Sequence, residues 1–357
     1  MSKVLKQCLG IDVSKLSLSL SLGFLTDSLV KEFKPHPDVS NDTLGYAKLL
    51  QWLKANTDRL VDLVVIMEAT GVYHQSIAYY LHSHGYQVSV MQSGRVKRYA
   101  QSLDQRSKTD ALDSKMLSML GLERKLGLWE PPSSDLLELK SLSRERSSLL
   151  KDKTVEKNRQ SAIASGVYKD KRALKRYEQR MTLLTKQIAA IEVEMEELVT
   201  KNQALYKKIG FMTSIPGVSF ISAATVAGET LGFASIANVK QLSSYAGYDV
   251  ILRESGNFKG KTRISKKGNS HIRAVLHMPS MTCVRCNPTL KHFYNRLKPK
   301  KAKPLLALVA VQRKLLILMY TIWKNEEYYD AEYETKKQQK HKTLAAQDNV
   351  LINQDVS

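Results

Sequence analysis

Cysteine is scarce in this chain, with three residues among 357. That scarcity argues against a small secreted domain held together by disulfides. Cys283 and Cys286 have the C-x-x-C spacing, but no second pair of ligands accompanies them, as a structural zinc site would require. The sequence also has no run of about 18 apolar residues and no amino-terminal signal peptide. We therefore expect a protein of the reducing cytoplasm with no membrane partner.

Acidic residues are also few relative to basic residues. Lys and Arg number 55 against 34 Asp and Glu, which gives a net charge of +21 and a pI near 9.7. A surface with such an excess of positive charge attracts polyanions. Because no membrane segment is predicted, we interpret the excess as a signal of nucleic-acid binding.

Four of the acidic residues occur in informative places. Asp12 and Glu68 each end an apolar, strand-like run, so both carboxylates are expected to emerge at strand ends. Asp110 and Asp113 are three residues apart, which places both on one face of a helix. Any one of the four alone is most often an ordinary solvated side chain. Together they follow the order Asp, Glu, Asp, Asp of RNase H-like nucleases.

A cluster of these carboxylates would supply the oxygen ligands that Mg²⁺ or Mn²⁺ prefers. Two such ions about 4 Å apart can activate the attacking oxygen and stabilise the leaving oxygen of a phosphodiester. The predicted cofactor is therefore Mg²⁺ or Mn²⁺.

The first domain is predicted over residues 1–128 as an α/β RNase H-like domain. A strand ending at Asp12 precedes a second strand with period-two leucines, and Pro35 and Pro37 are expected to break the chain. The elements that follow are a helix at 44–53, a strand at 62–67, a helix at 73–84, a strand at 87–91, and helices at 95–103 and 110–120. This order predicts a mixed sheet in which the first and fourth strands are adjacent.

Residues 129–209 are predicted to form a proline-rich linker and a central helical coiled coil, broken near Gly166. The helices contain a basic stretch with Arg144, Arg146 and Arg159. One interpretation is a scaffold with a solvated charged face; the other is a dimerisation and nucleic-acid-binding element. Residues 210–330 are predicted as a mainly α domain, and 331–357 as a disordered polar tail.

Several separated segments resemble one family, the DEDD transposases of insertion sequences, which are relatives of the Piv/MooV site-specific invertases. The N-terminal motifs are Gly10-Ile11-Asp12-Val13-Ser14-Lys15, Glu68-Ala69-Thr70-Gly71-Val72-Tyr73 and Lys108-Thr109-Asp110-Ala111-Leu112-Asp113. The C-terminal motifs are Ile215-Pro216-Gly217-Val218, Gln241-Leu242-Ser243-Ser244-Tyr245-Ala246-Gly247, Glu254-Ser255-Gly256, Ile264-Ser265-Lys266-Lys267-Gly268-Asn269 and Arg313-Lys314-Leu315-Leu316. The resemblance spans residues 6–330 in the same order.

The resemblance implies a RuvC-like domain, a coiled-coil bridge and a transposase domain with a nucleophilic serine. Carried over by motif, Ser255 is the nucleophile and the metal ligands are Asp12, Glu68, Asp110 and Asp113. A non-coding guide RNA encoded by the element would pair with donor and target DNA. The enzyme would act as a homo-oligomer, a dimer or tetramer, associated with the bacterial nucleoid.

Ser255 taken alone reads as part of an ordinary turn. Its surroundings are more informative, because cations near it could hold a scissile phosphate and stabilise its developing charge. These cations are Arg253, Lys259, Lys261, Arg263, Lys266, Lys267 and Arg273. Ser243 and Ser244 are rival serines in the same region.

Three functions remain open at this point. The first is a DNA recombinase that cuts and rejoins strands through a phosphoserine. The second is a metal-dependent, resolvase-type nuclease in which water attacks and Ser255 is only structural. The third is a catalytically silent nucleic-acid-binding protein, which the four acidic residues argue against because they would repel a polyanion without metal.

Overall fold

The computed structural model describes residues 3–103, 109–251, 254–255, 258–260 and 263–332. The chain forms two compact units, Met1–Pro131 and Pro132–Ser357. Most of the predicted tail, from residue 333 onward, lies outside the described residues.

The N-terminal unit is built on a five-stranded mixed sheet. Its strands are β1 (Val4–Val13), β2 (Ser17–Thr26), β3 (Lys31–Ser40), β4 (Leu63–Glu68) and β5 (Gln87–Met91). Its helices are α1 (Thr43–Asn56), α2 (Tyr73–Ser83), α3 (Ser93–Ser102) and α4 (Asp110–Glu123). The strand order is β3-β2-β1-β4-β5, with β1 antiparallel to β2 and parallel to β4. The predicted α/β class and the adjacency of the first and fourth strands are therefore confirmed.

Pro35 and Pro37 do not break the chain, and that prediction was wrong. Both lie within β3, which pairs only with β2 and is an edge strand of the sheet. Proline lacks a backbone N–H, but an edge strand leaves alternate N–H groups without a sheet partner in any case. The edge position therefore tolerates two prolines that a central strand would not.

Successive residues of β1 face opposite sides of the sheet, and each side has its own core. Leu9 and Ile11 are fully buried in the cluster that includes Ile77 of α2. Cys8 is fully buried in the other cluster, with Leu117 of α4. Even-numbered positions of β1 consequently face α4.

The C-terminal unit is mainly helical. Its helices are α5 (Ser134–Ser165), α6 (Lys171–Lys201), α7 (Gln203–Thr213), α8 (Phe220–Thr230), α9 (Val239–Ala246), α10 (Ser270–Val275), α11 (His277–Cys286), α12 (Pro288–Leu297) and α13 (Pro304–Asn325). Between α9 and α10 lie four short strands, β6 (Val250–Ile251), β7 (Glu254–Ser255), β8 (Phe258–Lys259) and β9 (Arg263–Ile264). One continuous core, which includes Met195, Phe233 and Leu315, joins these helices.

The two long helices α5 and α6 pack against each other. Arg146 pairs with Glu192, and Arg180 pairs with Glu156, so residue numbers rise along one helix as they fall along the other. The helices are therefore antiparallel. The break falls where the sequence predicts it, because Gly166 caps the C-terminus of α5.

Within the described ranges, α13 is the single helix long and apolar enough to cross a membrane. It packs instead against α7, α9, α11 and α12. Its buried Gln312 accepts a hydrogen bond from Tyr248 Oη at 3.0 Å. α13 therefore contributes one face to the core of its unit.

The three cysteines differ in reactivity. Burial raises the pKa of Cys8 and of Cys283 to about 12 each, and Cys283 Sγ donates to the Pro216 carbonyl oxygen at 3.2 Å. Cys286 is exposed. Because the thiolate is the reactive form, we expect a disulfide reagent at pH 8 to modify only Cys286 in the native protein and all three cysteines after unfolding. Rapid native modification of Cys283, mapped by peptide mass, would contradict this assignment.

Candidate active site

Asp12 and Glu68 occupy equivalent positions on adjacent parallel strands. Ile11 of β1 is paired with Met67 of β4, and each carboxylate residue is the next one along its strand. Cys8 and Ile66 both belong to the core on the α4 side of the sheet, so Asp12 and Glu68 face that side too, by the two-residue period of a strand. Both residues are partly exposed.

A glycine allows α4 to lie directly on β1. A Cβ added at Gly10 would collide with the backbone of Ser114 and of Ser118, and Ser118 Oγ donates to the Cys8 carbonyl oxygen at 2.8 Å. Higher-numbered residues of α4 thus lie beside lower-numbered residues of β1. The N-terminus of α4 is therefore directed toward the end of β1 that carries Asp12.

Asp110 and Asp113 lie in that first turn of α4. Thr109 caps the helix by accepting a hydrogen bond from the Leu112 amide, and carboxylates are favoured at the positive end of a helix dipole. Asp110 is exposed and Asp113 is partly buried. The fold thus directs all four predicted acidic residues toward one edge of the N-terminal unit.

The four side chains do not form a closed ligand cage. Across the described parts of the chain, no group of three or more His, Cys, Asp or Glu side chains is close enough to hold a metal ion. The donor chemistry nevertheless fits a hard divalent cation, because all four candidates offer carboxylate oxygens. The assignment of Asp12, Glu68, Asp110 and Asp113 as ligands of Mg²⁺ or Mn²⁺ stays a prediction.

The close contact at Gly10 leads to a stability prediction. Gly10→Ala is expected to lower the free energy of unfolding by about 1–3 kcal/mol, since the new methyl group overpacks a rigid backbone contact. Gly94→Ala is the matched control, because its added Cβ has nothing nearer than the Arg98 guanidinium at 3.9 Å. Urea unfolding measures both. Equal stability of Gly10→Ala and the unmodified protein would show that α4 does not need this close approach.

Ser255 lies in a β-hairpin of the C-terminal unit. Val250 pairs with Ile264 near the base of the hairpin, and Ser255 pairs with Phe258 farther along it. Ser255 is exposed. The rival Ser243 is 3% exposed, on α9, and accepts a hydrogen bond from Arg313 Nε at 3.1 Å. Ser243 is therefore inaccessible to a substrate, whereas the other rival, Ser244, is exposed like Ser255.

The cations predicted around Ser255 fall into three groups. Arg263, Lys266 and Lys267 are exposed on the returning side of the hairpin. Arg273 is engaged internally, since it donates to the Ala246 carbonyl oxygen at 2.7 Å. The remaining candidates are Arg253 and Lys261, which lie outside the described residues, and Lys259, whose side chain does.

The three basic candidates on α5 all have acidic partners. Arg144 makes two hydrogen bonds to Glu229, Arg146 pairs with Glu192 and Arg159 pairs with Glu156. These contacts account for the three arginines without a nucleic acid. Binding of nucleic acid by Arg144, Arg146 and Arg159 stays a prediction.

Glu229 was missed by the sequence reasoning. It is fully buried near the end of α8. Burial would raise its pKa, but hydrogen bonds from Arg144 and Asn269 outweigh that effect and leave the pKa lowered. The sequence did contain a signal, because Glu229 directly follows the largely apolar run Ile221–Gly228. A carboxylate in that position is expected to be buried, and a buried carboxylate requires partners.

Two family models match this chain. The DEDD transposase model of the IS110 type, described as Transposase, matches residues 9–169. A second, described as Transposase IS116/IS110/IS902 family, matches residues 210–295. Together they cover more than half of the chain. The first includes Asp12, Glu68, Asp110 and Asp113, which we call the acidic edge, and the second includes the Ser255 hairpin.

Curated relatives agree with the family models. The chain is 26% identical over 331 residues to the pilin gene-inverting protein of Moraxella lacunata, covering 91% of this chain and 98% of the relative. It is also 26% identical to the pilin gene-inverting protein of Moraxella bovis, over 82% of this chain and 89% of the relative.

A solved structure titled T. thermophilus RuvC in complex with Holliday junction substrate matches with a TM-score of 0.26 and 10% identity, over 34% of this chain and 99% of that chain. The RNase H-like assignment rests on the strand order and the family models. The family suggests a soluble, cytoplasmic protein. This chain belongs to the IS110 family of DEDD transposases and is a DNA recombinase of that family.

Proposed function

We propose that this protein cuts and rejoins DNA through a covalent bond between Ser255 and a DNA phosphate, assisted by metal held at the acidic edge. The observation that carries the proposal is the exposed Ser255 in a hairpin whose returning side carries exposed Arg263, Lys266 and Lys267. The match of this segment to a transposase family model supports it.

The chemistry balances as a transesterification. The Ser255 oxygen forms a bond to phosphorus, the bond from phosphorus to one strand oxygen breaks, and that oxygen becomes a hydroxyl group by gaining the serine proton. A hydroxyl group of the new strand later attacks the phosphoserine and releases Ser255. Two exchanges of equivalent ester bonds conserve bond energy, whereas hydrolysis by water would not.

Each group of residues has a distinct task in this scheme. The cations Arg263, Lys266 and Lys267 hold the phosphate and offset its developing charge. Asp12, Glu68, Asp110 and Asp113 would hold Mg²⁺ or Mn²⁺, and the bound ion would supply Lewis-acid stabilisation and activation of the attacking oxygen. A serine hydroxyl is a weak nucleophile at its ordinary pKa and requires such activation.

The proposed organisation keeps the sequence boundaries. Residues 1–128 form the RuvC-like domain, 129–209 the linker and coiled coil, 210–330 the transposase domain and 331–357 the tail. Because strand exchange requires several active sites held together, the working form is a dimer or tetramer on nucleoid DNA. Its partners are donor DNA, target DNA and a guide RNA.

A denaturing gel tests this proposal against the nuclease alternative. With DNA that contains the element's ends, its RNA and Mg²⁺, we expect labelled DNA to migrate with the protein after denaturation. Cleavage without any covalent complex would favour a resolvase-type nuclease. Binding without cleavage, with or without Mg²⁺, would favour a silent binding protein.

The guide RNA leads to a separate prediction. Protein purified at low salt with transcripts of its flanking DNA should carry one enriched RNA. Because phosphate contacts release counterions, that RNA should dissociate steeply as salt rises, which filter binding across a salt series measures. The guide-RNA hypothesis would be refuted if no transcript were enriched and RNA-free protein recombined DNA.

A further inference from the structure

Glu229 contacts three parts of the C-terminal unit, two through its buried carboxylate and one through its backbone carbonyl. Arg144 of α5 donates to it from Nε at 2.8 Å and from Nη2 at 3.0 Å, and Asn269 Nδ2 donates to Oε2 at 2.7 Å. Tyr245 Oη of α9 donates to the Glu229 backbone carbonyl at 2.7 Å. Glu229 thus links α5, α9 and the segment that precedes α10.

Asn269 carries this link to the start of α10. Its Oδ1 caps the helix by accepting hydrogen bonds from the backbone amides of His271 and Ile272. The backbone amide of Asn269 donates to the Tyr245 carbonyl oxygen at 2.7 Å. With Oδ1 used for the cap, Nδ2 must point away from the helix amides. The Glu229 carboxylate accepts from Nδ2 and so fixes the orientation of the side chain.

Asn269 also stands next to the base of the Ser255 hairpin. The Ser265 amide donates to the Asp249 carbonyl oxygen at 2.8 Å, and the Lys266 amide donates to the Gly247 carbonyl oxygen at 3.1 Å. These bonds hold the two ends of the hairpin together.

Gly268 brings the same segment against α9. A Cβ added at Gly268 would lie 2.5 Å from the Tyr245 carbonyl oxygen. The backbone can approach this closely because Gly268 has no side chain and adopts a φ of +155°. The base of the hairpin therefore packs against α9, one of the elements that Glu229 contacts.

We propose that Glu229, acting through Asn269, is a positioning residue that fixes the direction of the Ser255 hairpin. This inference rests on the proposed function for the role of Ser255, but the mechanical link itself does not depend on it. Loss of the link should misdirect the serine, and small misplacements of reacting groups lower rates on the order of 100-fold.

The test uses two variants with matched controls. Asn269→Ser keeps an N-cap for α10 but removes the donor to Glu229, and Glu229→Gln removes the carboxylate. The chain contains a similar contact elsewhere, because Asn202 caps α7 and its Nδ2 donates to Asp135 Oδ2 at 2.6 Å. Asn202→Ser and Asp135→Asn therefore remove the same kind of bond away from the hairpin. If Glu229→Gln fails to fold, the results for Asn269→Ser alone test the positioning role.

The first readout is amide hydrogen exchange by mass spectrometry. Both variants should lose protection in peptides spanning 247–269, while the two controls keep it. Unchanged protection of 247–269 in Asn269→Ser would overturn the inference. Hydrogen exchange does not depend on the chemistry of Ser255. If the unmodified protein forms no DNA adduct but the variants lose protection of 247–269, the proposed function is contradicted and the structural link from Glu229 to the hairpin is retained.

The second readout is the single-turnover rate of covalent adduct formation at saturating DNA, with the DNA dissociation constant measured separately. We expect the rate to fall about 10- to 100-fold in Asn269→Ser and the dissociation constant to stay within about twofold, since only orientation changes. A merely structural role would give equal losses in Asn202→Ser. An unchanged rate in Asn269→Ser, with a normal wild-type adduct, would overturn the inference and leave the proposed function intact.

Discussion

Asp12→Asn and Glu68→Gln are each expected to abolish DNA strand cleavage while the fold stays unchanged. Both substitutions keep the shape of the side chain and remove its charge, so the proposed metal site loses an anionic ligand. A bound cation contributes several kcal/mol to a phosphoryl-transfer transition state, and about 1.4 kcal/mol corresponds to a factor of ten in rate. We expect a loss of at least about 1000-fold, measured as cleavage rate at saturating Mg²⁺.

Asp27→Asn is the control for this pair. Asp27 is an exposed carboxylate at the opposite end of β1, where its amide donates to the Lys3 carbonyl oxygen. The variant should cleave DNA at the unmodified rate. Circular dichroism and the urea midpoint establish that all three variants are folded. Full activity of the unmodified protein in excess EDTA would refute the carboxylate site.

The sequence was sufficient to predict most of the N-terminal unit. Apolar runs and their turns located β1, β4 and β5, and Asp12 and Glu68 fall at strand ends as predicted. The error at Pro35 and Pro37 has a physical origin, because local propensity does not reveal that β3 is an edge strand, where proline is tolerated.

The C-terminal unit was harder to predict because its key contacts join residues distant in sequence. Arg144 and Glu229 are 85 positions apart, and no local pattern pairs them. The short strands around Ser255 have two residues each, too few for a period to be recognised. Helical periodicity did predict the break between α5 and α6 near Gly166.

Ser255→Ala is expected to bind DNA and RNA normally but to form no covalent adduct and no recombinant. Removing the hydroxyl group removes the proposed nucleophile and leaves the exposed cations Arg263, Lys266 and Lys267 in place. Ser255→Cys should retain a trace of activity, since a thiolate is also nucleophilic.

Other serines of the same unit provide controls for this variant. Ser243 is buried, and Ser265 Oγ donates to Asp249 Oδ1 at 2.6 Å, whereas Ser244 and Ser270 are exposed. Alanine at Ser244 or Ser270 tests whether any accessible hydroxyl group suffices. Both variants should form the adduct at rates close to that of the unmodified protein.

The most direct test of the phosphoserine mechanism is to identify the residue that bonds to DNA. The adduct is trapped on a gapped substrate, trimmed with nuclease, digested and sequenced by tandem mass spectrometry. We predict a nucleotide mass on the peptide containing Ser255 and none on that peptide in Ser255→Ala. An adduct mapped to Ser243 or Ser244, or recombination by Ser255→Ala at the unmodified rate, would contradict it.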